Sequence, residues 1–168
     1  MVRKIDLKKK YKTYYTASED PQILGLGEAR YITIEGKGAP EGEEFQAKIR
    51  AIYSVAYTIK MSQKAKGRDF VVPPLEASWW YSSDRPFTEV PNEEWNWKLM
   101  IRIPDFITPE IVEEAKRRVI KKKNIELANL VKLEEIEWGD CVQILHIGLF
   151  GRGKIYRENE GSYCERMS

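Results

Sequence analysis

Glu76 stands between Leu75 and Ala77 in the otherwise apolar block VPPLEASWW. A carboxyl group there holds its proton more tightly than usual unless it meets a donor. It could anchor a cationic group or act as a base on water, which makes Glu76 a candidate catalytic and binding residue. An ordinary hydrogen-bonded strand glutamate is the alternative. Trp79 and Trp80 follow it directly. Consecutive side chains of a strand face opposite ways, so only one of these indoles can enter a helix-covered core. The other is available to stack on a flat or cationic guest. Trp97 shares a face with Trp95, Leu99 and Ile101, a stripe that reads as core or as a ligand wall. Tyr53 and Tyr57 stand one helical turn apart and could place two hydroxyls at a cleft mouth, where Tyr53 would polarise a carbonyl; packing is the alternative. Met100 and His146 complete the candidate ligand-binding set. His146, the only histidine, lies in an apolar strand where a structural imidazole is the plainer reading.

Other chemistries find little support. No partner at the spacing of a nucleophile triad accompanies His146. Gly36-Lys37-Gly38 lacks the spacing of a phosphate loop and does not lead into a helix. Cys141 and Cys164 belong to no metal-site pattern, so two free thiols, no metal and no cofactor are expected. The 28 basic and 26 acidic residues leave a net charge of +2, too weak a field to hold nucleic acid. No apolar run approaches the roughly 18 residues of a membrane span, and the N-terminal region has no apolar signal core. A cytoplasmic protein with no membrane partner is expected.

The elements that must carry these residues follow from periodicity. The first 20 residues, rich in Lys and Tyr, read as a short docking segment, a lid or strap, ending at Asp20-Pro21. Residues 29–37 alternate Tyr31, Thr33 and Glu35 against Ile32, Ile34 and Gly36, the pattern of a half-buried strand. From Glu43, Phe45, Ile49, Ile52, Ala56 and Ile59 form one stripe of a long helix ending near Lys66-Gly67. Pro73-Pro74 kinks the chain before a strand in which Leu75, Ala77 and Trp79 oppose Glu76, Ser78 and Trp80. Trp95, Trp97, Leu99, Ile101 and Ile103 share a face of the next strand, and Thr108-Pro109 opens a second helix. A hairpin turning at Trp138-Gly139-Asp140 is expected to follow.

The segments YITIEGKG, AIYSVAYTIKM, VPPLEASWW, WNWKLMIRIPDFIT and CVQILHIG together resemble the GyrI-like small-molecule-binding family, over about residues 6–148. The PLE-x-x-WW block with W-x-W-x-x-M-I resembles its stand-alone bacterial branch, and no helix-turn-helix segment is visible. The resemblance implies an α+β fold of two β-α-β-β repeats, an antiparallel sheet with long helices, and an aromatic-lined cleft holding a buried acid. On this reading residues 1–168 are one domain: a first repeat at about 28–104, a connector helix at about 108–126 and an incomplete second repeat at about 130–150. The tail, 151–168, lacks helix or strand periodicity. With one nucleotide dropped near Gly151 and codons chosen freely, the same bases read as an acidic turn and an amphipathic helix, so a frameshift is expected there. A scrambled tail would leave a sheet edge and an apolar face open to a second copy, a homodimer. The implied activities are binding of a flat, partly apolar small molecule, hydrolysis of cyclopropane-bearing DNA-alkylating natural products, or protein binding as an adaptor or inhibitor.

Overall fold

A computed structural model describes residues 3–147, 153–159 and 162–166. Two single-turn helices come first, α1 (Leu7–Lys10) and α2 (Lys12–Tyr15), followed by the long strand β1 (Gln22–Lys37) and the 23-residue helix α3 (Glu43–Ala65). Then come β2 (Glu76–Trp80), β3 (Asn96–Arg102), α4 (Pro109–Lys123), β4 (Lys132–Ile147), β5 (Gly153–Asn159) and β6 (Ser162–Arg166). The six strands close into an antiparallel barrel in the order β1-β3-β2-β6-β5-β4. The α+β class, the antiparallel sheet and the long helices therefore stand as the sequence indicates.

The helix signals operate as expected. Gly67, at φ 77°, follows α3, the left-handed geometry that stops a helix without a Cβ penalty. Thr108 caps α4 by accepting a hydrogen bond from the Ile111 N–H, and Asn124 closes it at φ 56°. The buried stripe of α3, with Phe45, Ile52, Val55, Ala56 and Ile59, packs with Val112, Ala115 and Val119 of α4 against Ile32, Ile34, Ala77, Trp79, Trp97, Leu99 and Ile101. The opposite face of the sheet carries a second core, in which Tyr31, Met100, Trp138 and Cys141 meet Leu7, Tyr14 and Tyr15 of the N-terminal strap. Both faces of β1 are thus covered: Tyr31, Ile32, Thr33 and Ile34 are all buried, where alternation alone indicates a half-buried strand.

Two expectations are corrected. The hairpin at Trp138-Gly139-Asp140 is instead one continuous 16-residue strand, because β1 extends back to Gln22 and pairs with β4 from Gln143 to Lys132. Gly139 does adopt a turn-like φ of 60°. Its effect is to shift the alternation, so that Trp138 and Cys141, three residues apart, face the same core; β1 shifts likewise between Leu26 and Ala29, and the register survives. The tail, expected to carry no strand, forms β5 and β6, which pair with β4 and β2 and occupy the edges expected to be free. Backbone pairing needs no alternation of side chains, so the pattern does not register it. The second unit, β4-β5-β6, has no helix corresponding to α3 among the described residues. The junction where the frameshift reading begins, 148–152, lies outside the described residues.

Gly36 faces Trp97 across the β1–β3 ladder, and a Cβ on Gly36 would lie 2.2 Å from the indole ring. Trp97 is fully buried and has no room to move. Gly36→Ala should therefore cost about 1–3 kcal/mol in urea unfolding, as overpacking does. Gly27→Ala, where a Cβ meets nothing within 4 Å, should leave the midpoint nearly unchanged.

Candidate functional site

Glu76 is the first residue of β2 and Arg102 the last of β3, so both sit at one end of the sheet, on the face away from the helices. Glu76 pairs in register with Met100, and Met100 with Thr33, which carries one polar-lined row across three strands. The Glu76 side chain has no exposed surface. Its Oε2 accepts a hydrogen bond of 2.7 Å from the Tyr14 hydroxyl. The Tyr14 and Tyr31 hydroxyl oxygens are 2.6 Å apart, and Trp138 Nε1 donates to the Tyr31 hydroxyl at 3.1 Å. The direction of the middle bond follows from the proton count. Indole N–H can only donate, and Tyr14 spends its single proton on Glu76, so Tyr31 donates to Tyr14. Three donors in series point toward Glu76, each polarising the next.

The buried Arg102 guanidinium lies 3.7 Å from the centre of the Tyr11 ring and 5.0 Å from that of Tyr14, which holds both rings of the strap over the site. Burial pushes the Tyr31 hydroxyl well above its ordinary pKa, and the negative charge of Glu76 adds to this; its hydrogen bonds and Arg102 pull more weakly the other way. Further along the same face, Lys98 Nζ bridges Glu35 at 3.1 Å and Glu134 at 3.2 Å. Thr33 also donates to Glu134. Burial opposes the charged form of Lys98, yet the two carboxylates prevail and raise its pKa. Glu134 is likewise opposed by burial and is held below the carboxylate range by Thr33 and Lys98.

Of the residues singled out by type and spacing, Glu76 and Met100 share this centre, and Trp80 lies half-buried farther along the same face of β2. Trp79 and Trp97 are across the sheet, in the helix-covered core. Phe45 stacks on Trp79 at 5.5 Å between ring centres and meets Trp97 edge-on at 4.9 Å. Tyr53 packs against that same core, bonded to the Leu75 backbone, and burial raises its pKa. Tyr57 is half-exposed and stacks with Tyr53 at 6.3 Å. His146 is exposed near the end of β4. The structure therefore separates Trp79, Trp97, Tyr53 and Tyr57 from Glu76 by the thickness of the sheet. Sequence reasoning missed Tyr14, Tyr31, Trp138 and Arg102. Tyr31 was visible in the alternation, on the face opposite Ile32 and Ile34, but nothing local indicates that Tyr14 and Trp138 meet it. Among the described residues, no group of three or more His, Cys, Asp or Glu side chains is placed to hold a metal ion.

The fold is an α+β sheet with α3 and α4 on one face and the strap and the buried Glu76 carboxyl on the other. No protein-family model matches the chain, and no curated protein does. Solved structures do. An uncharacterized conserved protein from Listeria innocua is 30% identical with a TM-score of 0.81, the match covering 98% of this chain and 99% of that one. Two structures described as hydrolases from Listeria innocua are 32% and 31% identical, with TM-scores of 0.78 and 0.79. Those matches cover 97% and 98% of this chain and 98% of each of theirs. The chain belongs to the family of these Listeria proteins.

The raised pKa of Tyr31 has a definite sign. The folded state keeps the phenol protonated where the unfolded chain would release it, so its contribution is complete below pH about 10 and is lost as pH rises beyond that. Denaturant midpoints measured from pH 8 to 11 should fall at the alkaline end. Tyr31→Phe should flatten that fall while costing about 1–3 kcal/mol at neutral pH through the loss of the central hydroxyl.

Proposed function

We propose that the protein is a GyrI-like domain whose strap-covered face binds a flat, partly apolar small molecule or xenobiotic, with Glu76 as the polar anchor. The observation that carries the reading is the wholly buried Glu76 side chain, set among Tyr14, Tyr31 and Trp138 and aligned by them. A buried carboxyl held by a series of donors is costly to build for packing alone, and such groups concentrate at functional sites. Trp80 on the same face offers an indole to a flat guest.

A hydrolase reading is favoured by the two similar Listeria structures described as hydrolases. In that version the guest carries a strained cyclopropane conjugated to a carbonyl. Glu76 takes a proton from a water molecule as the water oxygen attacks a ring carbon. The broken C–C bond delivers its electron pair into the conjugated carbonyl, which then picks up a proton. Ring strain supplies much of the driving force, so placement of the water is the main task of the protein.

Incubation with a cyclopropane-bearing DNA alkylator, following tryptophan quenching and ring-opened product by mass spectrometry, tests both. Turnover that Glu76→Gln lowers by about 100-fold or more is the hydrolase result. Quenching without product, weakened by Glu76→Gln, is the binder result. No quenching and no product would overturn the proposal.

A further inference from the structure

The N-terminal strap is attached in two different ways along its length. Its ends are held by backbone. Ile5 donates to the Asp69 carbonyl at 3.0 Å and accepts from the Val71 N–H at 2.8 Å, while the Ser18 carbonyl accepts from the Leu145 N–H at 2.7 Å. Gln143 Nε2 adds a bond of 2.9 Å to the Thr16 carbonyl. Between these pins, among the described residues, the backbone bonds stay inside the strap: Lys10 N–H to Asp6, Tyr11 to Leu7, Tyr14 and Tyr15 to Tyr11, and Thr16 to Lys12. Among the described residues the middle meets the sheet through side chains, with Leu7, Tyr14 and Tyr15 buried inward and Lys8, Lys9, Lys10, Lys12 and Thr13 outward in water.

This attachment has a mechanical consequence. Among the described residues, lifting 7–15 breaks side-chain contacts but no ladder, and the two single-turn helices, too short to hold once off the sheet, open their own bonds with it. Such a segment opens at a fraction of the cost of global unfolding. Glu76 has no exposed surface while the strap is down, and the Tyr14 hydroxyl holds its Oε2.

We propose that residues 7–15 form a hinged lid over Glu76, and that Tyr14, in the closed state, occupies the carboxylate oxygen that a ligand takes when the lid lifts. This rests on the binding site proposed above and adds how a ligand reaches it. The lid turns on Ile5 at one end and on Thr16 to Ser18 at the other. Tyr14 is a positioning residue of the empty site. Its hydroxyl holds Glu76 Oε2 until a guest donor replaces it there, and the stacking of Arg102 on Tyr11 and Tyr14 sets how firmly the lid shuts.

Amide hydrogen exchange tests the lid without a ligand. The expected result is exchange at Tyr11, Tyr14, Tyr15 and Thr16 at least ten-fold faster than at Ile52, Val55 and Ala56 in α3, with little dependence on denaturant. Exchange of both sets at one rate would mean that the strap opens only with global unfolding and would overturn the proposal. A second measurement adds a saturating amount of the cyclopropane-bearing alkylator. Bound alkylator should change exchange in residues 7–16 more than in any other segment, and bound alkylator with unchanged strap exchange would also overturn it. Fast strap exchange with no alkylator binding would instead count against the site reading, so the two failures are distinct.

Discussion

A carboxyl group taken wholly out of water loses its hydration, at a cost of several kcal/mol unless donors in the protein replace it. Glu76 imposes that constraint, and much of the strap-covered face is arranged around it. The donors come from distant parts of the chain: Tyr14 from the strap, Tyr31 from β1 and Trp138 from β4, lying 62, 17 and 107 residues from their partners in the series. Each hydroxyl has only one proton to give, so the series runs in one direction and ends on Glu76. Hydrogen bonds to a charged acceptor are worth about 1.5–3 kcal/mol each, against about 1 for neutral ones, which makes the bond from Tyr14 the pivotal one.

The sheet allows this polar centre to coexist with a conventional core. Its helix-covered face takes Trp79, Trp97, Leu99 and Ile101 against α3 and α4, while Glu76, Met100, Arg102 and Lys98 project from the other. One-residue alternation separates the two, so a single strand such as β2 can give Ala77 and Trp79 to packing and Glu76 and Ser78 to the opposite face. Where β1 and β4 run past β3, both change alternation near Gly27 and Gly139, and the matched change turns Leu26 and Cys141 toward the strap without breaking register.

Much of this was legible in the sequence. The stripe of α3, the Thr108-Pro109 start of α4, the opposed faces of Trp79 and Trp80, and the oddity of Glu76 among apolar neighbours all follow from local periodicity, and the structure has them. The first 20 residues also read as a strap. What local pattern does not carry is long-range meeting. Tyr14 and Trp138 are separated by most of the chain, and their partnership through Tyr31 depends on the closure of β1 on β4. Gly139 shows how one residue type serves two ends: its positive φ marks a turn in sequence and a change of face in the strand. Aromatic abundance was equally ambiguous, since Trp97 fills the space over Gly36 in the helix-side core.

The central claim is that a guest belongs on the face of Glu76 and not on the helix layer. A crystal structure of the protein with a bound planar, ring-opened alkylator product would test it most directly. The account predicts the product against Glu76 and Trp80, within hydrogen-bond distance of the Glu76 carboxylate, with Tyr14 displaced from that oxygen. Product found instead between Tyr53 and Tyr57 on α3, with the bond from Tyr14 to Glu76 intact, would contradict it.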